Sequence, residues 1–136
     1  MDVKTLIEQH EGRRHKAYRC TAGKTTVGIG RNLDDVGLSD DEIDYLFAND
    51  LKRAQDAASK YPWFAELSEV RQAAVTDLMF NLGPTRFAGF RNFIHAMSQR
   101  QYARAAAELV DSKWFRQVGR RAKRIRLMIL NDEWPE

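Results

Sequence analysis

The chain has 136 residues, of which 43% are hydrophobic and 30% charged, and this is the composition of one ordinary globular domain. A single cysteine excludes an internal disulfide, and the three histidines lack ligand spacing, so we expect no metal and no cofactor. No apolar run is long enough to cross a bilayer, and the N-terminus lacks the apolar core of a signal peptide. We therefore expect synthesis in the cytoplasm without stable membrane insertion.

The charge of the chain is unevenly distributed. The net charge is only +3, yet a short segment near the C-terminus concentrates basic side chains. These are Arg116, Arg120, Arg121, Lys123, Arg124 and Arg126. Such a cluster favours an anionic partner, although a solvated helix face is the simpler interpretation.

The first segment, residues 2–11, predicts a short amphipathic helix that stops at Gly12. Its stripe has i, i+3, i+4, i+7 spacing and consists of Val3, Leu6, Ile7 and His10. Glu11 then lies in the last turn, where the negative end of the helix dipole favours the uncharged carboxyl. Glu11 is therefore a candidate proton donor, although most glutamates at helix ends are simply solvated.

Residues 18–29 predict a β-hairpin that turns at 22–23. On the second strand, the period of two places the Thr26 hydroxyl on the face opposite Val27 and Ile29. If the two apolar residues face the core, the Thr26 hydroxyl is exposed. The turn type stays open at this point.

The rest of the chain predicts helices. A capping box, S-x-x-E at Ser39 and Glu42, starts a helix that can run to about residue 60. Ser68 caps a largely apolar helix that ends before Gly83 and that we expect to be the central buried one. Shorter helices are expected around 92–99 and 102–111. The last helix has a stripe formed by Val118, Ala122, Ile125 and Ile129.

The predicted fold is thus α+β and mainly α, with a small hairpin lobe in a helical protein. Glu11, Cys20 and Thr26 could together form a site that cleaves a glycosidic bond, with an acid on one side and a group that handles water on the other. Each residue also has an ordinary structural interpretation, because lone cysteines are usually inert core residues and strand threonines usually serve the strand.

Several motifs share one resemblance. The pattern E-x8-C-x5-T, formed by Glu11, Cys20 and Thr26, occurs with the segments TTVGIG, FNLG and W-x6-RA-x-R. Together they resemble the phage-type muramidases, the family of T4 lysozyme-like endolysins, and RNLDDVGLSDDE suggests a shortened member. The resemblance implies a lysozyme-like fold in a single domain, 1–136. Its expected parts are a hairpin lobe over 12–38, a connecting helix over 39–60, and a helical lobe of 61–136 plus helix 1–11.

The resemblance also implies residue roles. Glu11 matches the general acid, Cys20 the position usually held by an aspartate, and Thr26 the threonine that helps hold the attacking water. The positions implied for substrate binding are Gly30, Arg31, Asn32, Phe80, Asn81 and Arg121. Arg121 matches an arginine near the catalytic glutamate, with which we expect it to pair. Arg31 stands where many members carry histidine.

The cysteine bears on mechanism. A free thiol is mostly neutral at pH 7, whereas an aspartate is ionised, so Cys20 is expected to need nearby cations such as Arg19 or Lys24 to act as a base. We expect Cys20 to position or deprotonate water, which inverts the anomeric carbon. A retaining route through a sulfur nucleophile is the alternative.

The function implied by the resemblance is that of a monomeric endolysin. It would hydrolyse the β-1,4 bond between N-acetylmuramic acid and N-acetylglucosamine in peptidoglycan and thereby lyse bacterial cells. The enzyme would wait in the host cytoplasm and reach the wall, in the periplasm, after holin-type release. The alternative is a muramidase-fold domain with weak or no catalysis that binds peptidoglycan or acts as a scaffold. Nucleic-acid binding is disfavoured because the net charge is small.

Overall fold

The computed structural model describes residues 1–136 and confirms the mainly helical α+β class. The chain divides into two compact units, Met1–Leu46 and Phe47–Glu136. Three strands and the first helices are, in chain order, α1 (Val3–Glu11), β1 (Arg14–Arg19), β2 (Thr25–Gly28), β3 (Arg31–Asn32) and α2 (Asp40–Ser59). A 3-10 turn at Phe64–Glu66 precedes α3 (Glu69–Leu82), α4 (Pro84–Ala88), α5 (Arg91–Ser98), α6 (Tyr102–Val110), α7 (Lys113–Val118) and α8 (Arg120–Asn131). No helix is long and apolar enough to cross a membrane.

In the first unit, the ends of α1 are set by local hydrogen bonds. The Asp2 carboxylate accepts from the Thr5 N–H at 2.8 Å, so Asp2 caps the helix. At the other end the Gly12 N–H donates to the Glu8 carbonyl at 2.8 Å, with the glycine at φ 74°. The helix therefore stops directly after Glu11. The assignment of helix 1–11 to the helical lobe stays a prediction.

The sheet is antiparallel in the order β1-β2-β3, with β2 in the centre. Thr26 pairs with Tyr18 on one side and with Asn32 on the other. β1 begins at Arg14 and not at Tyr18 as predicted, because residues 14–17 are exposed on both faces and carry no alternating pattern. The two-residue strand β3 was not predicted, because two residues are too few for a period of two to be visible.

The hairpin turn is a three-residue loop, 21–23. Cys20 and Lys24 close it, with the Cys20 N–H donating to the Lys24 carbonyl at 2.9 Å. The Gly23 N–H donates to the Cys20 carbonyl at 2.8 Å, and Gly23 has φ 78°. This is a turn followed by a left-handed glycine, an arrangement common in three-residue hairpin loops. It places Cys20 at the start of the turn, where backbone N–H groups converge.

The predicted capping box is present at the start of α2. The Ser39 N–H donates to Glu42 Oε1 at 2.9 Å, and the Glu42 N–H donates to Ser39 Oγ at 3.3 Å. This reciprocal pair fixes where the helix begins.

The second unit has one hydrophobic core, and α3 contributes more of its residues than any other helix. The core residues on α3 are Ala74, Val75, Leu78, Met79 and Leu82. α3 packs on α8, and α6 packs on both α5 and α8. Ser68 caps α3 as predicted, with its Oγ accepting from the Arg71 N–H at 3.2 Å. The exposed Phe80 shows that α3 is buried along most of its faces but not all of them.

Two short helices were not predicted, α4 and α7. α7 and α8 together hold the stripe that was expected to form one helix, since Gly119 lies between them at φ 70°. Val118 ends α7, whereas Ala122, Ile125 and Ile129 are buried on α8. The apolar spacing continues across the glycine, so the pattern alone concealed the break.

Candidate functional site

The Glu11 carboxyl lies directly against Gly30 in the first unit. A Cβ atom built on Gly30 would lie 2.8 Å from both Cδ and Oε2 of Glu11 and 3.2 Å from its Cγ. Gly30 also has φ 74°, a backbone conformation that residues other than glycine rarely adopt. The Glu11 carboxyl therefore occupies the space that a side chain at position 30 would need.

Cys20 has a set of hydrogen-bond donors around its sulfur. The backbone N–H of Lys24, then the backbone N–H of Ala22 and the Thr26 hydroxyl, lower the pKa of the Cys20 thiol from its ordinary value. The donors come from the three-residue turn and from the central strand. The turn that closes the hairpin therefore favours the thiolate.

The cations expected to stabilise that thiolate have other partners. Arg19 donates through Nη1 to the Gly23 carbonyl at 3.1 Å, and Lys24 Nζ lies 3.4 Å from Asp35 Oδ1. That their side chains activate Cys20 stays a prediction. The groups that lower the pKa of Cys20 most are the backbone N–H of Lys24 and then that of Ala22.

Thr26 is buried, not exposed as the strand alternation predicted. It is 3% exposed and is the one polar residue fully buried in the protein. Its hydroxyl donates to the Lys24 carbonyl at 2.9 Å. The prediction failed because Val27 and Ile29 do not face a core, since Val27 is half-buried and Ile29 exposed. The single hydroxyl proton can serve the Lys24 carbonyl or the Cys20 sulfur, but not both at once.

Arg31 and Asn32 form β3, and both side chains bind protein groups. Arg31 is paired with Glu42. Asn32 forms a turn with Asp35, whose N–H donates to Asn32 Oδ1 at 3.0 Å while Asn32 Nδ2 donates back to Asp35 Oδ2 at 3.0 Å. Contact of either residue with substrate stays a prediction.

In the second unit, Phe80 and Arg121 line one groove of about 640 Å³. Phe80 packs edge-on against Phe47, with the ring centroids 5.9 Å apart. Arg121 donates through Nε to Asp77 Oδ1 at 2.7 Å, and its Nη2 donates to the same oxygen. Trp134, 57% exposed, also lines the groove. The predicted pairing of Arg121 with Glu11 stays a prediction.

Asn81 is held by a tryptophan. The Trp114 indole Nε1 donates to Asn81 Oδ1 at 2.7 Å, and Trp114 is only 3% exposed. This bond fixes the orientation of the amide, so that the Asn81 NH2 group is the part able to donate to a ligand. Trp63 is likewise buried, so Trp134 is the one exposed tryptophan.

The phage lysozyme family model matches residues 8–127, which span every predicted site residue from Glu11 to Arg121. The chain belongs to the phage lysozyme family. Membership implies a glycoside hydrolase of lysozyme type and a peptidoglycan substrate.

Distant relatives agree with this family. The chain is 23% identical over 153 aligned residues to "Probable T4-type lysozyme 1" of Dictyostelium discoideum, with 90% of each chain covered. It is 29% identical over 116 residues to "Endolysin" of Acyrthosiphon pisum secondary endosymbiont phage 1, covering 80% of this chain and 74% of that one. It is 24% identical to "Pre-baseplate central spike protein Gp5" of Enterobacteria phage T4, where the match takes 96% of this chain and 28% of that protein.

The structure of this phage lysozyme family member adds side chains that sequence reasoning did not assign to the site. They are Glu42, the partner of Arg31, Asp77, the partner of Arg121, and Trp114, the partner of Asn81. One of them left a signal in the sequence: Asp77 is the one charged residue in the stretch 72–82 of α3. Glu42 was recognised as a helix cap, but the capping pattern gives no sign of a second partner.

Proposed function

We propose that the protein hydrolyses the β-1,4 bond between N-acetylmuramic acid and N-acetylglucosamine in peptidoglycan. Glu11 is the general acid, Cys20 handles the attacking water, and Thr26 helps to hold that water. The observation that carries this mechanism is the environment of Cys20, at the start of the hairpin turn, where the backbone N–H groups of Lys24 and then Ala22 lower the pKa of the thiol. The lowered pKa favours the thiolate form of Cys20, which is the form that would take the place of the aspartate carboxylate.

In the proposed step, the Cys20 thiolate takes a proton from water as the water oxygen attacks the anomeric carbon. Glu11 donates its proton to the glycosidic oxygen as that bond breaks. The products are two sugar hydroxyls, a neutral thiol and a carboxylate, and solvent returns the proton from sulfur to carboxylate. Attack from the side opposite the leaving group inverts the anomeric carbon.

In the second unit, substrate contacts are proposed for Phe80, which lines a groove together with Trp134, and for the Asn81 NH2 group, which the bond from Trp114 leaves available to donate. The basic side chains of α8 would favour the anionic wall. Action in the periplasm after holin-type release, as a monomer, is part of the same proposal.

The proposal is tested by the clearing of outer-membrane-permeabilised cells. Glu11→Gln should lose nearly all activity, because the amide cannot donate a proton at the glycosidic oxygen. Cys20→Ala should be strongly impaired, and Cys20→Ser should resemble it, because a hydroxyl does not ionise at neutral pH. If Cys20→Ala cleared cells as fast as the parent, the thiol would have no chemical role.

The stereochemistry of the product distinguishes attack by water from the alternative route through a sulfur nucleophile. Proton NMR of the first-formed anomer of a soluble glycan should show inversion for a water attack directed by Cys20. Net retention would instead indicate a glycosyl intermediate on the sulfur, formed as the leaving oxygen takes the Glu11 proton and then hydrolysed by water.

The second candidate function is a peptidoglycan-binding or scaffolding domain with weak catalysis. The observation that favours it is the cysteine at the position usually held by an aspartate, and a relative of this chain lies within a spike protein. If the parent cleared cells no faster than Glu11→Gln while still sedimenting with purified peptidoglycan, this second function would replace the first.

A further inference from the structure

Arg31 and Glu42 form a two-pronged ion pair, here called the Arg31–Glu42 clamp. Arg31 Nη1 donates to Glu42 Oε1 at 2.7 Å, and Nη2 lies 2.5 Å from Oε2. Nη1 also donates to the Gly37 carbonyl at 3.1 Å. Both terminal nitrogens of the guanidinium are therefore engaged by protein oxygens, in the planar geometry that suits a carboxylate.

The clamp joins three segments that are separate in the sequence. Arg31 begins β3, Gly37 lies in the following loop, and Glu42 lies in the first turn of α2. Glu42 also accepts the Ser39 N–H, so the same carboxylate caps the helix and holds the strand. Arg31, and then the Ser39 hydrogen bonds, lower the pKa of Glu42 to about 2, so the carboxylate stays charged at any pH where the enzyme would act.

The clamp lies next to Gly30 in the chain, and Gly30 contacts the candidate acid. Arg31 directly follows Gly30, against which the Glu11 carboxyl packs. Arg31 is also the strand partner of Val27, so a displacement of β3 displaces the 28–30 turn. The position of the backbone at Gly30 therefore depends on what holds Arg31.

We propose that Arg31 is a positioning residue and not a substrate ligand: with Glu42 it fixes β3, and so holds Gly30 against the Glu11 carboxyl. The part of this inference that concerns catalysis rests on the proposed function, because it requires Glu11 to be the acid. The part that concerns the position of the strand is independent of the proposed function.

The test compares Arg31→Met with Glu42→Gln in steady-state cleavage of a soluble glycan, well below the melting temperature of each variant. Each variant breaks the same clamp, so both should lower kcat by a similar factor, about tenfold or more, since misplacement by 1 Å can cost a hundredfold. KM should stay within about twofold, and the double variant should be no slower than either single variant.

A matched control is the exposed ion pair Lys52–Asp56 on α2, at 2.7 Å. Lys52→Met should leave kcat and KM unchanged. If Arg31→Met raised KM while Glu42→Gln left the kinetics unchanged, Arg31 would be a substrate ligand and the proposal would be overturned. Unchanged kcat in both clamp variants, with only a lower melting temperature, would overturn it as well, because the clamp would then be purely structural.

Failure of the proposed function would be visible separately, as equal rates of clearing for the parent and for Glu11→Gln. The proposal that the clamp fixes β3 is then tested by amide hydrogen exchange at Leu33. The Leu33 N–H donates to the Thr25 carbonyl at 2.8 Å, beside β3. Both clamp variants should speed this exchange about tenfold relative to Lys52→Met, because a released strand opens more often. Equal exchange in all three variants would overturn the proposal whatever the activity.

Discussion

Replacing Gly30 by alanine tests whether close packing holds the Glu11 carboxyl in place. The new Cβ would lie 2.8 Å from Glu11 Cδ, whereas carbon atoms in contact prefer about 3.5–4.0 Å, so the carboxyl must move by roughly 1 Å. A shift of that size in a reacting group costs about a hundredfold in rate. Glu11 is exposed and can swing away, so the clash itself should cost little stability.

The stability cost of the same substitution comes from the backbone. An alanine at φ 74° costs about 1 kcal/mol, which lowers the melting temperature of a chain of this size by about 4 °C. Gly28→Ala is the matched control, because Gly28 has φ 70° and a Cβ there would meet no atom within 4 Å. Both variants should melt at similarly lowered temperatures, but only Gly30→Ala should lose kcat on a soluble glycan. Equal kcat in the two variants would refute the argument that Gly30 positions Glu11.

Three further predictions concern Cys20, Glu42 and the core. Because the pKa of Cys20 is lowered, activity of the parent should rise with pH through that pKa. The variant Cys20→Asp should show the same rise at more acidic pH. Superimposable pH–rate profiles of the two proteins would mean that the sulfur acts without ionising. The pKa of Glu42 is about 2 in the folded protein against an ordinary 4.5, so its stabilisation is present above about pH 4.5 and is lost as pH falls towards 2. Urea unfolding at pH 7 and pH 3 should therefore show a smaller acid loss for Glu42→Gln than for the parent, and an equal loss would contradict the pairing. Leu78→Ala, at a fully buried site, should cost about 2–5 kcal/mol by the same method, whereas Leu127→Ala, at a site 47% exposed, should cost less than about 1 kcal/mol.

The helix ends show how local sequence decides local structure. Ser39 with Glu42, and Ser68 with the N–H of Arg71, form the hydrogen bonds that their spacing predicts. These contacts span three residues, so the identities of the partners are sufficient to predict them. The break between α7 and α8 at Gly119 was not predicted, because apolar spacing indicates which face of a helix is buried and not whether the helix is continuous.

The site shows where local rules stop. Strand alternation placed the Thr26 hydroxyl in solvent, but burial depends on what covers each face, and here the face of Val27 and Ile29 is the more open one. Cys20 was expected to rely on the charges of its neighbours, Arg19 and Lys24. In the structure the backbone N–H groups of Lys24 and Ala22 are the largest causes of its lowered pKa, and a list of side chains does not contain them.

By itself, the sequence determined the fold class, the family and the helix caps, because these follow from periodicity, from short-range hydrogen bonds and from a motif with fixed spacing. It also supplied the candidates Glu11, Cys20 and Thr26. Only the tertiary structure decided their surroundings: the carboxyl against Gly30, the N–H groups around the sulfur, and the guanidinium of Arg31 bound to Glu42. Those contacts depend on backbone direction and on residues distant in the sequence, and spacing along the chain encodes neither.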